Sequence, residues 1–445
     1  MLLMTRKRKV LIPMKRYVAL ALVMALLPGL LTACGGEAKT NDEAQPPAQT
    51  DAIPGAGSGD GAGGEEAQEP ESAVDPYDAV REYWKSEQLT QEWGPDQIVE
   101  HLFFHPIIAY PQYAFHESPS SQAQRYGLDD WMCTVDEYNK ILQAVYDKGY
   151  ILVAMEDVWS EYTNDAGEQR MRRNTLMLPE GKKPLVISFD DVNYYPYMLE
   201  EGFTSKLVVG DDGEIWAECV DPYTKETFLT KELDATPILD TFVYEHPDFS
   251  LNGAKAIFSL TGYQGILGYR TQNDRDIAEG SPERPAFEQY RAAEIEAVKP
   301  VIQRLKETGW TFGSHTWGHI NLSKKPMETV VNDTERWEEE VGSLVGPTQI
   351  LFYPHGARPD GGKDQGESGP MFKYLQSKGF RVFASVGVSS FSKCKTDISA
   401  VICDRLHPDG TTLRYSREKY LQFYDAKDIM DVDVRPKDAT HTVKW

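Results

Sequence analysis

Short apolar runs recur along the chain at 102–108, 150–155, 184–189, 255–260, 310–313, 349–353, 380–384 and 400–403, none longer than seven residues. Runs this short suit buried strands, since a helix needs ten or more residues to bury a face. Between several of them the period changes. Apolar residues at three- and four-residue spacing predict helices over 135–148, 291–308 and 326–344, with Thr134 placed to cap the first. Gly149, Gly309 and Gly379 stand where left-handed helix caps are expected. Strands alternating with helices over roughly 300 residues predict a parallel α/β architecture, either a barrel or an open sheet.

The N-terminus has a different pattern. Arg6-Lys7-Arg8-Lys9 and Lys15-Arg16 precede an apolar run over 17–31 that ends in Leu31-Thr32-Ala33-Cys34. The run is short for a membrane span, which needs about 20 apolar residues, and small residues before a cysteine mark processing. Leu31-Thr32-Ala33-Cys34 resembles the lipobox of bacterial lipoproteins. That likeness implies cleavage after residue 33 and a lipid anchor on Cys34, holding the protein at the outer face of the bacterial cytoplasmic membrane, on the cell-wall side. Residues 35–72 are mostly Gly, Ala, Pro, Glu and Asp without an aromatic, too poor in apolar surface to offset the entropy of ordering. They predict a flexible tether. The expected organisation is therefore a signal peptide over 1–33, a lipidated cysteine and linker over 34–73, and a single large domain over 74–445.

Charge excludes one class of partner. The formal net charge is −23, and loss of the six cations of the signal segment, which has no anion, takes the mature chain to about −29. Nucleic-acid binding needs a basic surface, so it is not expected. Cys133, Cys219, Cys394 and Cys403 remain after Cys34, with no CxxC or Cys/His cluster to suggest a cysteine zinc site.

In α/β folds with parallel strands the chemistry gathers at the C-terminal ends of the strands. The run at 184–189 ends in Asp190-Asp191, that at 310–313 leads through Ser314 to His315 with His319 four residues on, and that at 349–353 ends in Pro354-His355-Gly356. If a helical turn starts near His315, two imidazoles at this spacing share one face and can chelate one cation. A carboxylate from another strand end completes a two-histidine, one-carboxylate site with open positions. Adjacent aspartates can then divide the work, one binding the metal and one taking a proton from water on it. This is equipment for hydrolysing an amide or ester.

Together, Ser188-Phe189-Asp190-Asp191, His315-Thr316-Trp317-Gly318-His319 and Phe352-Tyr353-Pro354-His355-Gly356 resemble the motifs of the polysaccharide deacetylase (NodB homology) family. Phe104-His105-Pro106 is similar to the opening strand of surface-polysaccharide deacetylases, which places His105 in the cleft. The resemblance implies a distorted (β/α)7 TIM-like barrel. It implies Asp191, His315 and His319 as metal ligands and Asp190 as general base. A backbone N–H near Tyr353 would serve as an oxyanion donor, with Pro354, His355 and Arg405 around the substrate. Zinc is the default cation for such a ligand set, with cobalt, nickel and manganese as alternatives. The implied substrate is an N-acetylated glycan, and a monomer is expected.

Departures from the family pattern sharpen three expectations. Leu406-His407 is the nearest match to the late leucine–histidine motif, which implies His407 as general acid. No Asp-x-x-Asp-Trp block is present to orient it, and 380–388 carries no acid. The spacing from Asp191 to His315 exceeds the family's, so residues 202–250, with a hairpin turn at Asp211-Asp212-Gly213, read as an insertion over the strand-end face. The expected function is metal-dependent removal of N-acetyl or O-acetyl groups from a surface polysaccharide or peptidoglycan. The alternative, which the missing late motif favours, is a catalytically weak glycan-binding lipoprotein that keeps the metal site.

Overall fold

The computed structural model describes residues 75–359, 369–387, 399–437 and 443. Within it, Val74–Trp445 form one compact unit. The predicted signal peptide, Cys34, the predicted tether and Cys394 lie outside the described residues. Among the described residues no helix is long and apolar enough to cross a membrane.

Each of the eight apolar runs becomes a strand of one parallel sheet: β1 (Glu100–Phe104), β2 (Tyr150–Leu152), β3 (Lys183–Asp190), then, beyond an antiparallel insertion, β7 (Ala256–Leu260), β8 (Thr311–Ser314), β9 (Ile350–Phe352), β10 (Val382–Val386) and β11 (Val401–Arg405). Seven of them stand in the order β1-β3-β7-β8-β9-β10-β11, and β2 pairs with the first residues of β3. The ring closes between its last and first strands. Phe103 donates its amide to the Leu406 carbonyl and Leu406 donates to that of His101, both at 2.9 Å. The result is a seven-stranded parallel barrel with helices outside, as expected. Burial of both faces explains why these strands read as continuous apolar runs: β3 is buried at every position after Lys183.

Six helices bear on the site and its supports: α1 (Pro76–Arg81), α2 (Gln122–Trp131), α3 (Val135–Asp147), α4 (Ala235–Glu245), α5 (Arg284–Glu307) and α6 (Met327–Trp337). Thr134 caps α3 in a reciprocal box with Glu137. Gly149, Gly309 and Gly379 have φ of 77°, 85° and 97°, the left-handed caps predicted for them. The helix α5 begins seven residues before its predicted start. Its first turns are not buried and so carry no apolar period, the first buried position being Val298.

The insertion is a three-stranded antiparallel sheet, β4 (Lys206–Val209), β5 (Ile215–Val220) and β6 (Thr227–Thr230). The predicted hairpin is present, with Gly213 at φ 77°. The insertion lies largely along the flank and meets the strand-end face in part. Leu207, Ile215 and Ala217 are buried in the main core, and the sheet packs on α4 and α5 along the barrel flank. It also reaches two strand-end loops: Leu207 donates to the Leu267 carbonyl at 3.1 Å in the loop beyond β7, and Asp221, in the turn after β5, accepts from the Tyr110 hydroxyl at 3.3 Å in the loop beyond β1. The apolar alternation of β4 and β5 carries no information about which side of the barrel it covers.

Candidate active site

Every chemically interesting side chain named from the sequence within the described residues lies at the C-terminal ends of the barrel strands. Asp190 closes β3 and Asp191 comes next at φ 60°. His315 comes directly after β8, Arg405 closes β11 with His407 two residues on, and His105 comes directly after β1.

Asp191, His315 and His319 each offer a ligand atom, all within 4.8 Å of one another. The donors are braced from behind. Nδ1 of His315 pairs with the Phe352 carbonyl at 3.0 Å, and Asp191 Oδ1 accepts from the Tyr195 hydroxyl at 2.8 Å. Tyr195 in turn shares a 2.7 Å hydrogen bond with Thr261. Fixing the far nitrogen of a ligand imidazole sets which nitrogen faces a cation, and bracing a carboxylate sets its free oxygen. No lysine or arginine among the described residues lies within 4.0 Å of Asp191; its only such neighbours are imidazoles, His319 at 3.6 Å and His105 at 4.0 Å. Burial raises the Asp191 carboxyl against the pull of His315, and burial holds His319 well below the usual histidine range. A carboxylate and two imidazoles converging on one centre, with no lysine or arginine within 4.0 Å of the carboxylate, are a donor set that fits a divalent transition metal.

The two histidines are not brought together by a helix. Residues 315–320 form a loop in which Thr316 has φ 60° and His319 φ 50°. The amides of Trp317 and Gly318 both donate to Asp333, at 2.7 and 2.8 Å, and the Ile320 amide donates to Thr316 Oγ1 at 3.0 Å. These bonds replace the helical ladder. Burial lifts the Asp333 carboxyl to about 6 against those two amides.

Asp190 stands apart from the ligand triad. Its oxygens accept a bidentate pair from Arg405, at 2.6 and 2.8 Å, while His315 Nε2 lies 3.7 Å away. Burial alone would raise this carboxyl. The guanidinium, helped by His315, outweighs burial and holds it far below the usual carboxylate range. Arg405 is itself fully buried, with its carbon centre 4.1 Å from the Phe103 ring and 4.3 Å from the Phe352 ring, and it also donates to Ser188. His101 reaches Ser188 from below at 2.8 Å.

His407 differs from its expected role. Its Nδ1 meets Asp409 at 2.9 Å and its Nε2 meets Nδ1 of His105 at 3.0 Å, while its ring stacks on Phe103. Both ring nitrogens are therefore occupied, and the end of the chain that faces the triad is Nε2 of His105. Burial, with His407 beside it, holds His105 down at about 3. The orienting acid sought elsewhere is Asp409, two residues after the histidine it holds. That adjacency is a signal the sequence carried.

Tyr353 also departs from expectation. Its amide donates to the Ala384 carbonyl at 2.8 Å within the barrel, and its ring is buried beside Phe383. Neither is available to a substrate. Pro354, which is buried, has no amide hydrogen, so the next amide after that of Tyr353 belongs to His355. His355 is exposed, at φ 59°, with its ring 4.4 Å from that of His319. Of the other aromatics near these loops, Tyr194 and Tyr195 are core residues, and Trp216, in the insertion, is tied to Asp212 and Lys231.

No curated protein matches this sequence. Among solved structures, the chain is similar to a Streptococcus pyogenes deacetylase, PplD, determined with acetate (14% identity, 74% of this chain and 98% of that one, TM-score 0.36). It is also similar to IcaB from Ammonifex degensii (13%, 73% and 97%, TM-score 0.33) and to a polysaccharide deacetylase from Bacillus cereus (12%, 75% and 69%, TM-score 0.35). Residues 285–367 match the family model for polysaccharide deacetylase. That segment takes in all but the first residue of α5, then β8, both histidines of the triad and the turn holding His355, so over those residues the chain is similar to polysaccharide deacetylases.

Proposed function

We propose that the chain is a metal-dependent hydrolase that removes N-acetyl, or O-acetyl, groups from a cell-surface polysaccharide or peptidoglycan. The observation that carries this reading is the pairing of two carboxylates with opposite circumstances. Asp191 points with His315 and His319 at a common centre, and Asp190, ionised by Arg405, stands beside that centre without belonging to it. A divalent cation held by the triad, zinc by first choice and cobalt, nickel or manganese otherwise, would polarise the acetyl carbonyl and ease deprotonation of water.

The protein's own groups then have separable tasks. Asp190 takes a proton as a water oxygen bonds to the acetyl carbon. The amide of His355 is the backbone donor positioned for the developing oxyanion, a preorganised contribution of the kind that carries several kcal/mol. As the carbon–nitrogen bond breaks, the amine takes up the proton that Asp190 removed from water, while neutral His105, held by His407 and Asp409, lines the site. Acetate and a free amine are the products. Asp409 supplies the support whose absence had favoured a merely glycan-binding protein, which favours hydrolysis instead.

The test is acetate release from chitooligosaccharides and from peptidoglycan, with and without chelator, in the parent and in Asp190→Asn. Loss of a positioned general base is expected to slow release by about 10²–10⁴-fold while bound metal is kept. Equal release by both proteins would refute the assignment of Asp190. Anchoring through Cys34 is a separate part of the proposal, checked by mass spectrometry of the membrane-extracted protein: an unlipidated Cys34 would remove it.

A further inference from the structure

The loop that carries the two histidines is shaped by a residue that touches neither. Asp333, on α6, is buried, and both of its oxygens are used: Oδ1 accepts from Trp317 N at 2.7 Å and Oδ2 from Gly318 N at 2.8 Å. Among the described residues no cation lies within 4.0 Å of it. The nearby Arg336 favours its ionised form but pairs with Glu340 instead; a buried carboxylate without a bonded cation is costly to keep, so its use here as a two-pronged acceptor for consecutive amides calls for a reason. The reason lies in the backbone. Thr316 and His319 flank those amides, and both hold positive φ, a conformation side chains avoid unless the surroundings impose it.

Other contacts fix the loop from the opposite side. The Trp317 carbonyl accepts from the amides of Gly262 and Tyr263, at 2.9 and 3.0 Å. The Trp317 indole donates to Glu340 at 3.0 Å, beneath the Arg336 guanidinium. A side chain at Gly262 would collide with that indole, so the approach of the two loops is tight. The tripeptide between the ligand histidines is thus gripped at its carbonyl, its ring and its two amides, and the amide grip, with the Ile320 amide on Thr316 Oγ1 at 3.0 Å, sets the turn that brings His319 back toward His315.

We infer that Asp333 is a positioning residue for the two-histidine site: by clamping the amides of Trp317 and Gly318 it fixes the separation of the His315 and His319 ligand atoms and so sets the affinity for the cation. The inference rests on the reading of Asp191, His315 and His319 as a cation site.

The experiment measures zinc affinity by chelator competition in the full exported chain, for the parent, Asp333→Asn and Asp333→Glu, beside thermal unfolding of each metal-free protein. Asp333→Asn is nearly isosteric and loses one acceptor, so its zinc affinity should fall about 10- to 100-fold, as is usual when the support of a ligand is lost. Its metal-free melting temperature should stay close to the parent's. The cobalt-substituted protein should show an altered d–d absorption band, which a purely structural role would leave unchanged. Asp333→Glu, keeping the charge and both oxygens, should recover part of the affinity. Parent-like zinc affinity and cobalt spectrum in a folded Asp333→Asn would overturn the inference. If Asp333→Asn does not fold, parent-like affinity in Asp333→Glu together with an unchanged spectrum overturns it too. A parent that binds no zinc or cobalt would instead defeat the reading of the site itself.

Discussion

Two clusters of buried charge lie within the same domain, and they solve the same problem in opposite ways. In one, Asp129 on α2 and Glu137 on α3 meet Arg414 and Arg435. Arg435 alone makes bonds of 2.6–2.9 Å to Glu137, Asp129 and the Met132 carbonyl. Two buried carboxylates face two buried guanidiniums, so nothing is left over for a ligand. At the strand ends the charges do not cancel. Arg405 neutralises Asp190, but Asp191 has only imidazoles beside it, and three site residues keep left-handed backbone. A closed cluster ties helices together; an open one of the same residue types is where binding and chemistry are expected.

The comparison can be broken by removing one partner on each side. Arg435→Ala leaves Glu137 and Asp129 buried with half their counter-charge, which should cost roughly 3–5 kcal/mol of folding stability in urea titrations while acetate release per folded molecule is unchanged. A cost below about 1 kcal/mol would mean that the cluster is not closed in the sense argued. At the site, Arg405→Met removes the charge that holds the Asp190 carboxyl down. Asp190 must then be protonated at higher pH, so the acid limb of the pH–rate profile should move up by about one unit or more, a tenfold loss of rate per unit on that side. An unmoved limb would show that another group sets it. Asp409→Asn frees one side of His407 and should lower kcat about tenfold with KM nearly constant, since only the ring behind His105 is disturbed.

The smallest effect is on stability in mild acid. Burial favours protonation of Glu137, but Arg435 and the backbone amides of Thr134 and Asp431 outweigh it and hold the carboxyl below its ordinary value of 4.5. Below that pH the unfolded chain takes up a proton that the folded one refuses, so the stabilisation is fully present above about 4.5 and is lost as pH falls further. Urea midpoints of the parent should begin to drop in that window, and those of Glu137→Gln should drop less.

Strands and strand-end chemistry were legible because burial on both faces writes itself as apolar runs, and the residue after each run inherits a place at the mouth. Asp190, Asp191, His315 and His319 are placed by that rule alone. The loop geometry was not, because His-x-x-x-His fits a helical face equally well; the deciding contacts come from Asp333, whose partners are main-chain amides and leave no trace in residue type. The same holds for Tyr353, whose ring and amide are absorbed by the barrel. His105 was legible as a cleft residue but not as the outer member of a chain ending at Asp409, since 302 positions separate it from His407.

The barrel closes through Leu406, by hydrogen bonds to His101 and Phe103. Until that last strand docks, Asp190 lacks its guanidinium and His105 lacks its support, so the catalytic machinery cannot preassemble from the first nine-tenths of the polypeptide. A chain synthesised from its N-terminus would lack this arrangement until its final segment emerged, and C-terminal truncation before Arg405 would remove it in one step rather than by degrees.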